Sequence, residues 1–203
     1  NMEEKVLNEK ESLELIARMI RNSKKNLQLG NGNIFLLWGY LCTIISLVVY
    51  LIVKQTGNPV WNIVWLAIPL IGFPAAYFLR RKTESPVLTY TDKVKQDIWI
   101  VVGCYGMGFS LLACAIYNTL PMMPVLCVIL CALTMNITGR VLKDQTTLIG
   151  SYLGILTGMA MLIVYKPFSY DLQYILFSLS FIFMMIIPGY HLNKEAKRLC
   201  SKN

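Results

Sequence analysis

Few side chains in this sequence could do acid, base or nucleophilic chemistry. The single histidine is His191, and Asp92, Asp97 and Asp144 are, like it, found beside apolar stretches rather than within them. Apart from Asp171, which begins the sixth apolar stretch, no Asp, Glu, Lys or Arg lies within these stretches, although such residues usually mark proton relays and ion paths in membranes. Glycine-rich phosphate loops, HExxH pairs and nucleophile–base pairs are missing too. The sequence therefore predicts a protein that is not an enzyme.

Cysteine and methionine could hold a soft metal ion, but their positions favour a structural role. Cys127 and Cys131 share a helical face, and neither histidine nor carboxylate lies near them in the sequence to complete a site. Met159 and Met161 would point to different faces of a helix, which disfavours a copper(I) site. We therefore predict neither a metal site nor a cofactor.

Polar residues within the apolar stretches are the best candidates for a binding site. Asn136 stands out, because an amide placed in lipid needs hydrogen-bond partners. Thr134 lies nearby, and Ser151 lies in the following apolar stretch. Asn136, Thr134 and Ser151 are therefore candidates for lining a polar cavity. The interpretation favoured over a solute site is that such residues hold neighbouring helices together by hydrogen bonds.

Six apolar stretches must position these residues. They run over about 34–53, 59–79, 98–117, 121–139, 147–165 and 171–190. Each is about long enough to cross the hydrocarbon core of a bilayer as a helix. Only 15% of the 203 residues are charged, against about a quarter in an ordinary soluble domain. The composition predicts an all-α, polytopic membrane protein with six transmembrane helices. It also argues against the nucleic-acid binding that a net charge of +8 could suggest.

Glycine spacing marks the fifth stretch as a packing centre. Gly150, Gly154 and Gly158 recur every fourth residue, so they share one face of a helix and let a neighbour approach closely. Gly106 and Ser110 give the third stretch a similar small face. We predict that these two faces pack against each other inside the bundle. A lipid-facing position and a seam between two copies of the chain are the alternatives.

The segment before the first stretch predicts an amphipathic helix over residues 3–29. Its apolar side gathers Val6, Leu13, Ile16, Ala17, Ile20 and Leu27, and is widened by Leu15 and Met19. Gly30, Asn31 and Gly32 should end this helix in a turn. Such a helix can lie in the headgroup layer, pack on the protein's own cytoplasmic face or bind a partner.

The distribution of basic residues predicts the orientation in the membrane. Of the 19 Lys and Arg residues, all but Lys54 and Lys166 lie in the amino-terminal segment, two internal loops and the tail. These regions should therefore be cytoplasmic, which places both termini inside. We expect a cytoplasmic helix over residues 1–32, a transmembrane domain of three helical hairpins over 33–191 and a basic tail over 192–203.

Two runs in the first part of the chain carry a resemblance to other proteins. They are GNGNIFLLWGY at residues 30–40 and NPVWNIVWLAIPLIGFPAAYFLRRK at residues 58–82. Together they resemble a group of small six-span bacterial membrane proteins to which no activity is attached. The resemblance is best over the amphipathic segment and the first two spans. It implies a bacterial cytoplasmic (inner) membrane, and it transfers no site residues.

Two functions fit these features. The first is the binding or passage of a small or lipidic solute, through a cavity between the hairpins. The alternative is a membrane scaffold or regulator that engages a cytosolic protein partner, because most of the polar residues lie on that side. Membrane lipids are expected partners in both cases, and a second copy of the chain is a further one. A cavity lined by Asn136, Thr134 and Ser151 would favour the solute, whereas an exposed apolar face on residues 6–27 would favour the protein partner.

Overall fold

The computed structural model is almost entirely helical over the residues that it describes, which are 9–83, 90–117, 119, 122–164 and 170–201. In chain order, the elements are α1 (Glu9–Thr56), a 3-10 helix (Pro59–Leu66), α2 (Ala67–Thr83), α3 (Tyr90–Ile100), a π-helical segment (Val101–Gly106), α4 (Met107–Ile116), α5 (Met123–Leu142), α6 (Gln145–Val164), α7 (Tyr170–Phe181), a second π-helical segment (Ile182–Ile186) and α8 (Ile187–Ser201). These ranges contain no strand. The all-α fold class is confirmed.

Six helical segments in the described ranges are long and apolar enough to cross a membrane. In order, these spans are Gly32–Thr56, Val60–Leu79, Lys93–Ile116, Met123–Leu142, Gln145–Val164 and Asp171–Arg198. The second span joins the 3-10 helix to α2, and the third and sixth each contain a π-helical segment between two α-helices. Each span overlaps one predicted apolar stretch. The prediction of six membrane helices is therefore confirmed, and the chain has the helices of a multi-pass membrane protein.

Most of the buried core lies among the first, fourth, fifth and sixth spans. Helix α6 contacts α5 and α7, and α1 contacts α7 and α8. The largest fully buried side chains include Phe177, Phe181, Met135, Met161 and Met184. Lipid tails are as apolar as these side chains, so such helices associate through close packing rather than through exclusion of water. Flexible methionine side chains suit this task because they fill irregular gaps.

The second and third spans lie at the edge of this core. In the most apolar part of the sixth span 50% of the residues are buried, compared with 11% in the second span and 6% in the third. Helix α2 contacts α1, while α3 and α4 contact α5. Asn58 begins the second span by accepting a hydrogen bond from the backbone N–H of Val60, and Pro59 occupies the first turn. Both peripheral spans therefore offer most of their surface to lipid or to another molecule.

Helix α1 continues without a break through Gly30, Asn31 and Gly32, so the turn predicted there is wrong. The reason lies in the packing of Gly32 against α8. A Cβ atom at this position would lie 2.2 Å from the side chain of Asn193 and 2.9 Å from the carbonyl oxygen of Gly189. Gly32 is needed for the close approach of two helices, and the weak helix propensity of a glycine does not by itself end a helix.

The contact between α1 and the sixth span continues beyond this crossing. A Cβ atom at Gly39 would lie 2.7 Å from Ile186, which shows a second close approach. Asn193 donates a hydrogen bond of 2.9 Å to the side chain of Asn33, and the hydroxyls of Tyr40 and Tyr190 also hydrogen-bond. The sequence pattern did not single out these contacts, since they join the two ends of the chain.

Candidate functional site

The glycine face of α6 lies inside the bundle. Gly150, Gly154 and Gly158 are all buried. A Cβ atom at Gly150 would lie 2.5 Å from the carbonyl oxygen of Phe183, and one at Gly154 would lie 3.1 Å from both Ala132 and the sulfur of Met184. The missing side chains therefore let α6 approach the fourth and sixth spans.

The partners of this face differ from the prediction. At Gly158 the nearest atoms belong to Ile129 and Val128, again on the fourth span. On the third span, a Cβ atom at Gly106 would lie 3.6 Å from Val102 of its own helix and 3.7 Å from Leu130. The prediction that Gly106 and Ser110 pack against the glycine face of α6 is therefore wrong, because the fourth and sixth spans already occupy that face.

Ser110 has a local role in the third span. Its hydroxyl donates to the carbonyl oxygen of Gly106 at 2.8 Å, one turn earlier in the same helix. Such a bond satisfies the hydroxyl without a partner on another helix. The remaining glycines of this span, Gly103 and Gly108, have no neighbouring atom within 4 Å of the place where a Cβ would be. The third span is therefore open beside these two glycines.

Asn136 joins the fourth span to the fifth at the end of α5. Its amide nitrogen donates to the hydroxyl of Ser151 at 2.9 Å, and its carbonyl oxygen accepts from Arg140 at 3.0 Å. Arg140 also donates to the hydroxyl of Tyr152 at 3.1 Å. The bonds to Ser151 and Tyr152 cross from α5 to α6, and both polar ends of the amide are satisfied. Asn136 thus acts in the structure as a hydrogen-bonded link between two helices.

Thr134 and Ser151 are both fully buried. The hydroxyl of Thr134 donates to the carbonyl oxygen of Leu130 at 2.8 Å, and that of Ser151 donates to the carbonyl oxygen of Leu148 at 2.7 Å. Thr134 therefore bonds to its own helix, whereas Ser151 also receives the bond from Asn136. The contacts of Asn136 and Ser151 match helix linkage, which was the interpretation favoured over a polar cavity, whereas Thr134 bonds within α5.

A short turn beyond this link connects α5 to α6. Lys143 adopts a left-handed conformation with φ of 54°, and the N–H of Asp144 donates to the carbonyl oxygen of Gly139 at 3.0 Å. This pattern closes the end of α5. Asp144 begins α6 at once, because one of its carboxylate oxygens accepts from the backbone N–H of Thr147 at 2.8 Å and from its hydroxyl at 2.5 Å. The turn fixes the orientation of the Asp144 carboxylate.

His191 and Glu195 from α8 approach this carboxylate. The Nδ1 atom of His191 lies 3.3 Å from the second carboxylate oxygen of Asp144, which is 8% exposed. Nδ1 is itself buried and makes no hydrogen bond of good geometry. Ligand atoms of Asp144, His191 and Glu195 all lie within 4.8 Å of one another. Among the described residues, these three form a group that could hold a metal ion.

Only part of the signal for this cluster is present in the sequence. His191 and Glu195 are four residues apart, so a helix places them on one face. Asp144 belongs to a different loop, and only the packing of α8 beside the α5–α6 turn brings it to the pair. Asp97 is exposed on the third span, and the side chain of Asp92 lies outside the described residues. Of the three aspartates and the histidine that the sequence offered for acid–base chemistry, only Asp144 and His191 thus lie in this cluster.

Comparison with known proteins identifies no relative that bears on this site. No protein-family model, curated protein or solved structure matches the chain. Any function must therefore be argued from the chain's own residues.

Proposed function

We propose that the protein is a membrane-anchored scaffold or regulator whose amino-terminal helix binds a cytosolic protein partner. The observation that carries this proposal is an exposed apolar stripe near the start of α1. Leu13, Ile16 and Met19 are 68%, 52% and 59% exposed. They follow one another at three-residue spacing, so they form one stripe along the helix. Three exposed large side chains on one stripe are typical of an unoccupied helix-binding surface.

Only part of the predicted apolar face can be judged. Val6 and the side chains of Leu15, Ala17, Ile20 and Leu27 lie outside the described residues. In the sequence, helical periodicity assigns Lys10, Arg18, Arg21 and Lys25 to the side opposite the stripe. A partner that offers an apolar groove with acidic residues at its rim would match both sides of this helix.

The position of the stripe relative to α8 explains its exposure. Gly32 and Asn33 lie beside Gly189 and Asn193 on α8, which runs antiparallel to α1. Since both helices rise equally per residue, the last described residue of α8, Ser201, falls opposite roughly residues 20–25 of α1. The stripe at residues 13–19 therefore extends beyond the described part of α8, Ile187–Ser201, which does not reach it.

Distance favours a protein partner over the membrane surface predicted from the sequence. Residues 13–19 precede the first span on the same continuous helix. A helix rises 1.5 Å per residue, so the stripe lies about 20–28 Å along the helix from Gly32. The headgroup layer is only about 5–8 Å thick on each side of the bilayer. A helix that keeps its direction would carry the stripe past this layer into the cytosol.

Photocrosslinking in the cell that makes the protein tests the proposal. A photoreactive amino acid at Ile16 should yield a crosslink to a second protein, because Ile16 lies in the stripe. The same amino acid at Arg18 is the matched control, since two residues along a helix reverse the direction of the side chain. We expect the Ile16 adduct, and its loss when Leu13→Gln and Met19→Gln are added.

Three results would contradict this proposal. An adduct of twice the chain's mass would point to a second copy of the chain instead. A crosslink to lipid alone would indicate that the helix lies in the headgroup layer. Equal crosslinking from positions 16 and 18 would show that the stripe selects no partner.

The proposal includes three helical hairpins in a bacterial cytoplasmic membrane, with both termini in the cytoplasm. Contacts between α1 and α2, between α4 and α5, and between α6 and α7 support the pairing of successive spans. The excess of Lys and Arg in the terminal segments and two loops supports the orientation. Reporter domains fused after Asn58, Asn118 or Ser169 should be external. A cytoplasmic signal at any of these positions would contradict the orientation.

Binding or passage of a lipidic solute is a second candidate, and the third span favours it. Its π-helical segment, Val101–Gly106, contains Gly103, beside which space is open. Such segments are frequent at functional sites, and an open glycine on a membrane span can admit an acyl chain. Native mass spectrometry should then show a retained lipid that Gly103→Leu removes. Retention of the same lipid by this variant would contradict the candidate.

A further inference from the structure

We propose that Asp144, His191 and Glu195 bind a divalent transition-metal ion at the end of the bundle formed by the α5–α6 turn and α8. The proposal is independent of the cytosolic partner, because it concerns different residues and a different ligand. One imidazole nitrogen and two carboxylate oxygens form the donor set. This set suits manganese, iron, cobalt or zinc in the divalent state, because it combines borderline nitrogen with hard oxygen.

The positions of the donor atoms permit one shared ion. All three donors lie within 4.8 Å of one another before any ion is bound. Metal–ligand distances of about 2.0–2.2 Å place neighbouring donors about 3 Å apart. The carboxylate of Asp144 and the Nδ1 atom of His191 are already 3.3 Å apart. Rotation of the longer Glu195 side chain can supply the remaining movement.

A buried imidazole nitrogen provides the second observation. The Nδ1 atom of His191 is shielded from solvent and has no hydrogen-bond partner. A buried polar atom without a partner costs free energy, and coordination of a cation would satisfy it. Nδ1 faces the oxygen of Asp144 that the Thr147 bonds leave available. An ion between them would bond both atoms.

Thr147 acts as the orienting neighbour of this site. Its backbone N–H and hydroxyl both donate to the same carboxylate oxygen of Asp144. Metal-binding carboxylates are commonly held in this way, so that the free oxygen points towards the ion. His191 and Glu195 are presented together because α8 places residues four apart on one face. Three protein donors leave further coordination positions for water or a small anion.

The ion would link the end of α8 to the α5–α6 turn. Without an ion, Asp144 and His191 still form a close acid–imidazole pair, which is the simpler role for the same residues. The two roles differ in one measurable property, namely saturable binding of a cation that requires Glu195 as well as Asp144.

Manganese(II) is the best probe for this test. The chain contains six cysteines, and Cys42, Cys114 and Cys131 among them are free and buried. Zinc would bind thiolates in a partly unfolded fraction, whereas Mn²⁺ prefers oxygen and nitrogen donors. The full chain, free of any histidine tag, should be placed in phosphatidylcholine nanodiscs so that anionic lipids do not bind the ion. Electron paramagnetic resonance of the free ion then measures binding.

We expect one Mn²⁺ per chain, bound at submillimolar concentration. Asp144→Asn and Glu195→Gln should each weaken binding at least tenfold. Asparagine is as good a helix-capping residue as aspartate, so Asp144→Asn should keep the α6 start intact. The spin-echo spectrum of the bound ion should show modulation from an imidazole nitrogen, which His191→Gln removes.

Asp171→Asn is the matched control, because Asp171 is a carboxylate in the first turn of another helix. This variant should bind Mn²⁺ as the unchanged chain does. Equal weakening by Asp171→Asn would show diffuse binding to surface carboxylates and would overturn the proposal. Unchanged binding in Glu195→Gln, or a complete lack of binding by the unchanged chain, would overturn it as well. Circular dichroism and elution volume must match among all variants compared.

Discussion

The fifth and third spans carry similar spacings of small residues but use them differently. On the fifth span, Gly150 and Gly154 contact neighbouring helices so closely that a Cβ atom would meet other atoms at 2.5 Å and 3.1 Å. On the third span, a Cβ atom at Gly106 would meet its nearest neighbours only at 3.6 Å and 3.7 Å, and one at Gly103 would meet nothing within 4 Å. A small-residue face therefore permits close packing without requiring it. Whether the face is used depends on which helices reach it.

The same contrast separates the core spans from the two peripheral spans. In the most apolar part of the sixth span 50% of the residues are buried, whereas in that of the third span only 6% are buried. Both spans are apolar, because apolar side chains are suited equally to contact with lipid tails and to contact with other helices. Substitutions should therefore destabilise the protein according to the depth of the helix in the bundle, and not according to the residue type replaced. Four substitutions test this contrast.

Gly150→Leu should have the largest effect. The added side chain would meet the carbonyl oxygen of Phe183, a backbone atom that cannot rotate away. We expect a loss of more than about 3 kcal/mol, above the usual cost of overpacking. Thermal unfolding in detergent measures it, provided that folded protein is recovered. A melting temperature equal to that of the unchanged chain would contradict the close approach of α6 to the sixth span.

Gly154→Leu should destabilise the protein by a smaller amount. Its nearest neighbours are the side chains of Ala132 and Met184, and a methionine can move. We expect a loss of about 1–3 kcal/mol, with the size of the protein in detergent unchanged. Normal melting combined with a smaller particle would instead identify this face as a seam between two copies. Unchanged melting and unchanged size would show that α6 is not a packing centre.

Asp144→Ala should cost about 0.5–2 kcal/mol, because it removes the carboxylate that caps α6. Asp144→Asn preserves the cap and is the matched control, since an asparagine oxygen can accept from the Thr147 N–H. Chemical unfolding of both variants under metal-free conditions separates capping from ion binding. Equal stability of the alanine and asparagine variants would show that the cap contributes little.

Gly103→Leu should have the smallest effect, within about 0.5 kcal/mol of the unchanged chain. Space is open beside Gly103, so a leucine there would contact lipid. Thermal unfolding beside Gly154→Leu gives the direct comparison of the third and fifth spans. A loss as large as that of Gly154→Leu would mean that the third span is covered, either by another copy of the chain or by a different packing of the helices.

Sequence alone determined the number and position of the membrane helices. The free energy of placing a side chain in lipid depends mainly on that residue alone. A stretch of about twenty residues without charge can therefore be recognised from the sequence. A helix then follows, because lipid offers no partners for backbone polar groups. The capping role of Asp144 was less visible. A local hydrogen bond to Thr147 creates it, but the sequence pattern did not single it out.

Tertiary structure decided which helices meet and what their small or polar residues contact. Gly32 looked like part of a turn, yet it lies within a continuous helix because α8 approaches it. Asp144 and His191 belong to distant parts of the chain, and only the position of α8 beside the α5–α6 turn joins them. The hydropathy of a segment depends only on its own residues and on the surrounding solvent or lipid. The choice of partner depends instead on many weak packing contacts between segments, and their sum cannot be read from any one segment.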